Sequence, residues 1–313
     1  MTNILITGGA GFIGSSLADK MVEDPSFEVV IADNLLTGTL RRLPSSKFTN
    51  WKFIKADVNH YDDIAAIMLA HKFDYVFHYA AVVGVQRTLA NPVMVLNDIA
   101  GIRNVLELSK NTGVKRVYFS SSSEVYGEPV EFPQNENTTP LNSRLTYAVV
   151  KNVGEAFLRS YHREFNLDYT IFRFFNTYGS KQSNDFVISR FIRAAVAGND
   201  IHIYGDGMQT RTFCHIEDNV EATLKSLRMA LFINDVVNVG SDKEISILHL
   251  AETILELTKS RSRIVHLPAL KEGDMTRRKP DISKMQKLLK RDLLPLEEGL
   301  RRIIRQEKHL IEL

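Results

Sequence analysis

Tyr147 and Lys151 stand four residues apart at the start of a stretch with helical character, Tyr147–Phe165. Residues at i and i+4 share one face of a helix, so a phenol and an ammonium would lie side by side. A phenol ordinarily titrates near pH 10, too high for a base at neutral pH. A neighbouring ammonium favours the phenolate, as would a positively charged ring bound beside it. Such a phenolate can take the proton from an alcohol while hydride leaves the carbon that bears it. Tyrosine and lysine at this spacing are also common on solvated helices, so the pair gains meaning only from its neighbours. A run of hydroxyls, Ser120 to Ser123, ends a β-rich segment upstream and leads into Glu124, Val125, Tyr126 and Gly127. Doubly wound sheets carry their ligand chemistry at the C-terminal ends of parallel strands. A serine there would hold the reacting oxygen and share its proton with Tyr147.

A hydride acceptor is suggested by TGGAGFIG, Thr7 to Gly14. Gly9, Gly11 and Gly14 satisfy G-x-G-x-x-G; Gly8, Gly11 and Gly14 satisfy the wider G-x-x-G-x-x-G spacing. One glycine permits the tight turn, another lets the backbone approach a pyrophosphate, and the last lets helix and strand pack closely. The helix start then offers free N–H groups and a positive dipole end to phosphates. Asp33 ends the second β-rich run, where an acid would accept hydrogen bonds from the adenosine ribose. It would also repel a 2′-phosphate, so NAD is expected over NADP, with Arg41 and Arg42 a softening influence. A tight turn can use such glycines without a ligand; the strand before, the helix after and the acid beyond favour dinucleotide binding.

These groups need elements to hold them. NILIT (3–7), EVVIAD (28–33), WKFIKAD (51–57), YVFHYAA (75–81), RVYFSSS (116–122) and YTIFRFFN (169–176) read as strands. Helix-length stretches such as Ser15–Glu23 and Asn97–Thr112 separate them. This alternation predicts an α/β fold with a Rossmann-type doubly wound parallel sheet. After about residue 177 the pieces shorten: helices near 186–198, 217–231, 246–259 and 296–309, with strands IHIYG (201–205), VVNVG (236–240) and IVHL (264–267). The expected division is residues 1–176 for the cofactor and a smaller mixed α/β part, 177–313, for the substrate. No Pro/Gly/Ser-rich linker separates them, so their segments are expected to interleave.

Composition limits the alternatives. The chain has 313 residues, 44% hydrophobic and 24% charged, with 39 basic and 37 acidic side chains giving +2. Near-balance gives no bulk pull toward nucleic acid or an anionic membrane. Arg301, Arg302, Arg305 and Lys308 read as a solvated helix face. No apolar run is long enough to cross a bilayer, and the start carries no signal-peptide pattern. Cys214 is the single cysteine, read as buried packing; with it a reducing, cytoplasmic setting is expected. Nine histidines without ligand spacing give no expectation of a metal site.

Taken together the motifs resemble the extended short-chain dehydrogenase/reductase family of NAD-dependent nucleotide-sugar epimerases, dehydratases and decarboxylases. The resemblance covers essentially the whole chain: TGGAGFIG, DNLLTG (33–38), HYAA (78–81), SSSSEVYG (120–127), YAVVK (147–151), RFFNTYG (173–179), YGDGMQTRTF (204–213) and RRKPDISK (277–284). It implies oxidation of a sugar C4 hydroxyl, with Ser122, Tyr147 and Lys151 as the catalytic set. It further implies NAD contacts from Gly8, Gly11, Phe12, Ile13, Gly14, Asp33, Asn34, Asp57, Val58, Ala80 and Ala81, besides Tyr147 and Lys151. Ser123, Asn176, Arg211 and Arg278 match substrate-contacting positions, with Arg277 a less certain neighbour. The helices near 97–111 and 146–164 would pair two copies across a two-fold axis.

The resemblance is less specific for the reaction. Sugar 4,6-dehydratases carry Asp-Glu after the catalytic Ser/Thr; here Ser123 replaces the acid and Glu124 remains, which disfavours dehydration. Ser-Glu and the flanking EVYGEPVEFPQNE (124–136) look like UDP-glucuronate decarboxylases. Ser180-Lys181 in place of Pro-Arg, Asp98 in place of the family's asparagine, and the loop VVGVQRTLANP (82–92) depart from that subfamily. FCHIEDN (213–219) looks epimerase-like. A 4-epimerase and an enzyme releasing the 4-keto sugar therefore remain alternatives, with Glu124 then only ordering its loop. A non-catalytic dinucleotide binder would have no need of Ser122, Tyr147 and Lys151 together.

Overall fold

The computed structural model describes residues 1–269 and 277–311. The first strand, β1 (Thr2–Thr7), buries Ile4, Leu5 and Ile6 completely, as expected of a parallel strand covered on both faces. It is followed by α1 (Phe12–Val22), β2 (Phe27–Asp33), β3 (Trp51–Lys55), α2 (Tyr61–Ala70), β4 (Tyr75–His78), α3 (Val85–Ala90), α4 (Pro92–Thr112), β5 (Arg116–Ser122), α5 (Thr146–Phe165) and β6 (Asp168–Phe174). Then come β7 (Thr177–Tyr178), α6 (Val187–Val196), β8 (Ile201–Tyr204), β9 (Thr210–Thr212), β10 (Cys214–His215), α7 (Ile216–Arg228) and β11 (Asp235–Val239). The remainder is β12 (Glu244–Ser246), α8 (Ile247–Thr258), β13 (Ile264–Leu267), α9 (Ser283–Leu289) and α10 (Leu296–Ile311).

Seven strands form one sheet in the order β11-β6-β5-β4-β1-β2-β3, with parallel pairing from β3 to β6. The order reverses between β1 and β4, and a doubly wound sheet binds ligands in the crevice at such a switch point. Helices start and stop where local chemistry dictates. Pro92 opens α4 and Gly113, at φ +78, closes it. Asn166 closes α5 in the left-handed conformation.

The chain groups into two compact units. One comprises Met1–Gly127, Leu141–Phe174 and Thr223–Val237; the other comprises Glu128–Pro140, Phe175–Ala222 and the chain from Asn238 onward. The first has a core of strand and helix residues such as Leu5, Val76, Val117, Ile171, Ile64, Val105 and Leu158. The second is built on two-stranded pairs, β7 with β10, β8 with β13 and β9 with β12. Its core joins α6, α8 and α10 through Phe191, Ile192, Leu250, Ile254, Leu300 and Ile303.

Several elements differ from expectation at their ends. β3 stops at Lys55 rather than 57, because the Asp57 N–H is taken by the Asp63 carboxylate at the start of α2. β4 stops at His78 rather than 81; beyond it Tyr79 N–H still donates to Thr7, and Ala80 turns toward the Thr7 hydroxyl. The 82–92 loop contains a helix, α3, whose start at Gly84 sits at φ +104. Helix α9 falls where only a motif was read.

Candidate active site

The glycine turn fills the end of β1 with backbone. Gly8 has φ +67, and a Cβ there would lie 2.5 Å from the Ala80 nitrogen. Only glycine therefore lets β1 and β4 approach at the switch point. A Cβ on Gly14 would lie 2.5 Å from the Gly8 carbonyl, so α1 packs directly on the turn. Gly11 is the N-cap of α1 and contributes no side-chain cap. The first N–H groups of a helix have no intrahelical partner; here those of Phe12 and Ile13, both half-buried, fall in that first turn. This is a backbone cradle of the kind a pyrophosphate needs.

Asp33 is buried and pinned: Oδ2 accepts from Ala10 N–H at 3.0 Å and Oδ1 from Leu35 N–H at 2.7 Å. Burial pushes its titration up, against the pull of these backbone donors and of the Arg42 guanidinium. Asn34 donates to Asp57 Oδ2 at 2.9 Å, joining the ends of β2 and β3. Val58 packs into the core beside Gly101, and Ala80 and Ala81 are half-buried after β4. The structure thus gathers the expected cofactor residues along one edge of the sheet. It adds Gly38, where a Cβ would sit 2.8 Å from Asp33 Oδ1 and 3.0 Å from Ala10. That glycine belongs to DNLLTG, and its spacing from Asp33 was the available signal.

Ser122, Tyr147, Lys151 and Glu124 also come together. Ser122 ends β5, and its Oγ accepts from the Glu124 N–H at 3.2 Å, which sets the turn Ser123–Tyr126. It also hydrogen-bonds the Tyr147 phenol. Tyr147 opens α5 and Lys151 follows one turn on, its ammonium 5.8 Å from the Tyr147 ring centroid and 4.9 Å from that of Phe119. Lys151 is only 3% exposed, and its ammonium meets the Ser120 hydroxyl at 3.4 Å. Burial brings it down to about 8, while the Asp98 carboxylate works to raise it. Tyr147 moves the other way from the one its neighbours on the helix suggested. Burial raises it far above an ordinary phenol, the Glu124 and Asp98 charges raise it further, and the Ser122 hydrogen bond lowers it. The ammonium does not outweigh burial and the two carboxylates at this phenol.

The turn carrying Ser122 and Glu124 rests on a buried ion pair. Arg173 of β6 donates to both oxygens of Glu155 at 2.9 and 2.7 Å and to the Tyr126 hydroxyl at 2.9 Å. Ser121 Oγ also donates to Glu155 at 2.6 Å, as does Arg159 at 2.8 Å. Glu155 lies one turn beyond Lys151 and Arg173 opens RFFNTYG, so both had a positional signal, but their pairing is a tertiary fact. Ser123 is buried inside the turn.

The remaining expected residues belong to the second unit. Asn176 donates to the Thr212 carbonyl at 3.0 Å, beside Arg211 on β9, whose guanidinium bonds the Thr210 carbonyl at 2.8 Å. Arg278 is buried. Its neighbour Arg277 makes a bidentate pair with Glu244 at 2.6 and 2.7 Å and stacks 4.3 Å over Phe132. Cys214 is buried, which raises its thiol well above the ordinary value. Arg301 and Arg302 pair with Glu297, Glu298 and Glu217 on the surface; the Lys308 side chain lies outside the described residues. Among the described residues no helix is long and apolar enough to cross a membrane.

Comparison with known proteins agrees with this geometry. Residues 4–240 match the model of the NAD dependent epimerase/dehydratase family. The chain is 36% identical over 310 residues to UDP-glucuronic acid decarboxylase 1 of Danio rerio, covering 96% of this chain and 71% of that protein. It is 34% identical over 312 residues to a putative UDP-glucose 4-epimerase of Methanocaldococcus jannaschii, covering 98% of each. Among solved structures, the UDP-glucose 4-epimerase of Thermotoga maritima, determined with UDP-glucose, superposes with a TM-score of 0.93 at 31% identity, over 99% of this chain and all of that one. With the switch-point cradle and the Ser–Tyr–Lys set in place, the chain belongs to the NAD-dependent epimerase/dehydratase family of enzymes.

Proposed function

We propose that this enzyme oxidises the C4 hydroxyl of a nucleoside diphosphate sugar and that, on a UDP-uronate, the resulting β-keto acid loses carbon dioxide. The observation that carries the oxidation is the contact of Ser122 with the half-buried Tyr147 one helical turn from Lys151. NAD, when bound, supplies the hydride acceptor for C4 and can return the hydride. The chain's own residues do the rest. Tyr147 takes the hydroxyl proton, Ser122 orients the oxygen, and Lys151 holds positive charge beside the phenol. Partial burial and the Glu124 and Asp98 carboxylates favour the neutral phenol, and a positive charge bound beside it would favour the phenolate. Residues 1–176 would hold the cofactor and 177–313 most of the sugar-nucleotide site, with Arg211 and Arg278 as its contacts together with Asn176 at the boundary.

Glu124 favours decarboxylation. Its charge opposes formation of the base next to it, a cost that a task on the substrate would explain. When the C5–C6 bond breaks, its electron pair moves into the C4 carbonyl as an enolate, and C5 then takes up a proton from solvent, which Glu124 would relay by first being protonated itself. A 4-epimerase is the second reading, supported by the likeness to the Thermotoga maritima enzyme and by the 82–92 loop. Mass spectrometry of UDP-glucuronate after incubation with the enzyme and NAD decides between them. A product lighter by carbon dioxide supports the decarboxylase. Unchanged mass, with UDP-glucose and UDP-galactose interconverted instead, would sink it in favour of epimerisation.

We further infer a homodimer through α4 and α5. Leu96, Ile99, Ala100 and Arg103 on α4 and Val149, Val153, Ala156 and Phe157 on α5 recur at helical spacing and are exposed or half-exposed. A second copy presenting the same stripe would cover them as a four-helix bundle. A cytoplasmic setting fits the lone buried Cys214 and a pyridine-nucleotide reaction.

A further inference from the structure

Tyr126 closes the turn that follows β5. That turn, Ser123–Tyr126, is a short 3-10 piece, a form with poor hydrogen-bond geometry of its own. Within it the Glu124 N–H donates to Ser122 Oγ at 3.2 Å and the Gly127 N–H to the Glu124 carbonyl at 3.1 Å. Bonds this few do not hold a hydroxyl to a fixed bearing, so the fixing comes from outside. At the start of the turn Ser122 pairs with Phe174 of β6. At its end the Tyr126 side chain, 1% exposed, receives a 2.9 Å hydrogen bond from Arg173 Nη1, and that guanidinium lies 4.8 Å from the Tyr126 ring centroid.

Arg173 is itself held. Its Nε and Nη2 meet the two oxygens of Glu155 at 2.9 and 2.7 Å, and Glu155 is fully buried. Ser121 and Arg159 donate to the same carboxylate at 2.6 and 2.8 Å. A two-point pair fixes the guanidinium plane, and with it the direction of the N–H that points at Tyr126. Stability alone does not call for such a pair, because well-packed apolar side chains in its place are often as stable or more so. What the pair supplies here is direction.

We propose that Tyr126 is a positioning residue for the oxidation: its hydroxyl, held by the Glu155–Arg173 pair, anchors the turn so that Ser122 keeps its contact with Tyr147. This rests on the reading of Ser122 and Tyr147 as the groups that handle the C4 hydroxyl. Tyr126 acts only through the turn. A displacement of about 1 Å at a reacting group is enough to slow a reaction about a hundredfold. The tether should therefore show in the first hydride transfer and not in binding.

Tyr126→Phe removes the hydroxyl and keeps the ring. NAD-loaded enzyme would be mixed rapidly with UDP-glucuronate or UDP-glucose, carrying hydrogen or deuterium at C4, and NADH formation followed by its absorbance. The rate constant of hydride transfer should fall by about tenfold to a hundredfold and the isotope effect on turnover should rise, with KM and NAD affinity unchanged. A smaller folded fraction lowers the amplitude and leaves the rate constant and isotope effect alone; that result would overturn the proposal. So would an equal slowing in Arg159→Gln, since Arg159 bonds the same carboxylate from the surface, 42% exposed. If Tyr126→Phe does not fold, Glu155→Leu combined with Arg173→Met removes the tether and both buried charges, and full-rate hydride transfer in that protein overturns the idea. Hydrogen exchange needs no sugar: the Glu124 and Gly127 amides should exchange about tenfold faster in these variants, and unchanged exchange counts against Tyr126. If the wild-type enzyme oxidises neither sugar, the proposed function falls, and exchange at those two amides alone decides on Tyr126.

Discussion

Tyr147 combines the most demanding chemistry with the least favourable surroundings, since burial and two carboxylates all favour its neutral form. Tyr147→Phe should lower turnover by roughly a thousandfold, within the range for loss of a general base, while calorimetry still shows NAD bound; undiminished turnover would remove Tyr147 from the mechanism. Lys151 carries a cost that stability measurements can read. Its titration lies at about 8, below the 10.5 of an ordinary lysine. Below about pH 8 folded and unfolded chains both carry the ammonium, and burying it costs its full amount. From about 8 up to about 10.5 the unfolded chain holds a proton that the folded one has released. Stability should therefore rise with pH through that window, by about 3 kcal/mol in total. Lys151→Met abolishes that rise. Urea unfolding of both proteins just below and well above pH 8 checks it, and an equal pH response in the two would contradict the buried ammonium.

At the scale of elements, what matters is how closely backbones approach. Gly8 and Gly113 both adopt left-handed φ, +67 and +78, yet a Cβ on Gly113 would meet nothing within 4 Å while one on Gly8 would strike the backbone of Ala80. Gly113→Ala should cost about 1 kcal/mol, the strain of the conformation alone, and leave NAD affinity unchanged. Gly8→Ala should cost more than about 3 kcal/mol and weaken NAD binding, because β1 and β4 must part where the pyrophosphate would sit. Thermal unfolding with and without NAD distinguishes the two; equal losses would mean that the turn has slack. The Glu155–Arg173 pair belongs to this scale too. It joins α5 to β6 beside the turn that carries Ser122 and Glu124, so the placement of the Ser122 hydroxyl depends on a buried ion pair outside that turn.

For the whole molecule the open question is association. If the α4–α5 stripe is a dimer seam, Ala156→Arg should leave the fold intact, since the site is exposed in the single chain, and reduce the sedimenting mass from twice 35.5 kDa to 35.5 kDa. A wild-type protein already sedimenting as a monomer would refute the seam. Much of the architecture was legible in the sequence. Strand and helix alternation, the glycine spacing, Asp33 at a strand end and Y-x-x-x-K are local patterns, and local backbone chemistry enforces them wherever the chain goes. The end of β4 was not legible, because it is decided by Thr7, 73 residues away; the end of β3 and the role of Gly38 involve nearer residues, Asp63 and Asp33, but only the folded backbone shows which N–H the first carboxylate takes and how closely Gly38 passes Asp33 and Ala10. The same division runs through the site. Residue types and spacings by themselves determined that a dinucleotide turn and a Ser–Tyr–Lys set are present. Only the tertiary structure decided their charge states, because whether a phenol, an ammonium or a carboxylate ionises depends on burial and on opposing charges brought together from α4, α5 and the end of β5.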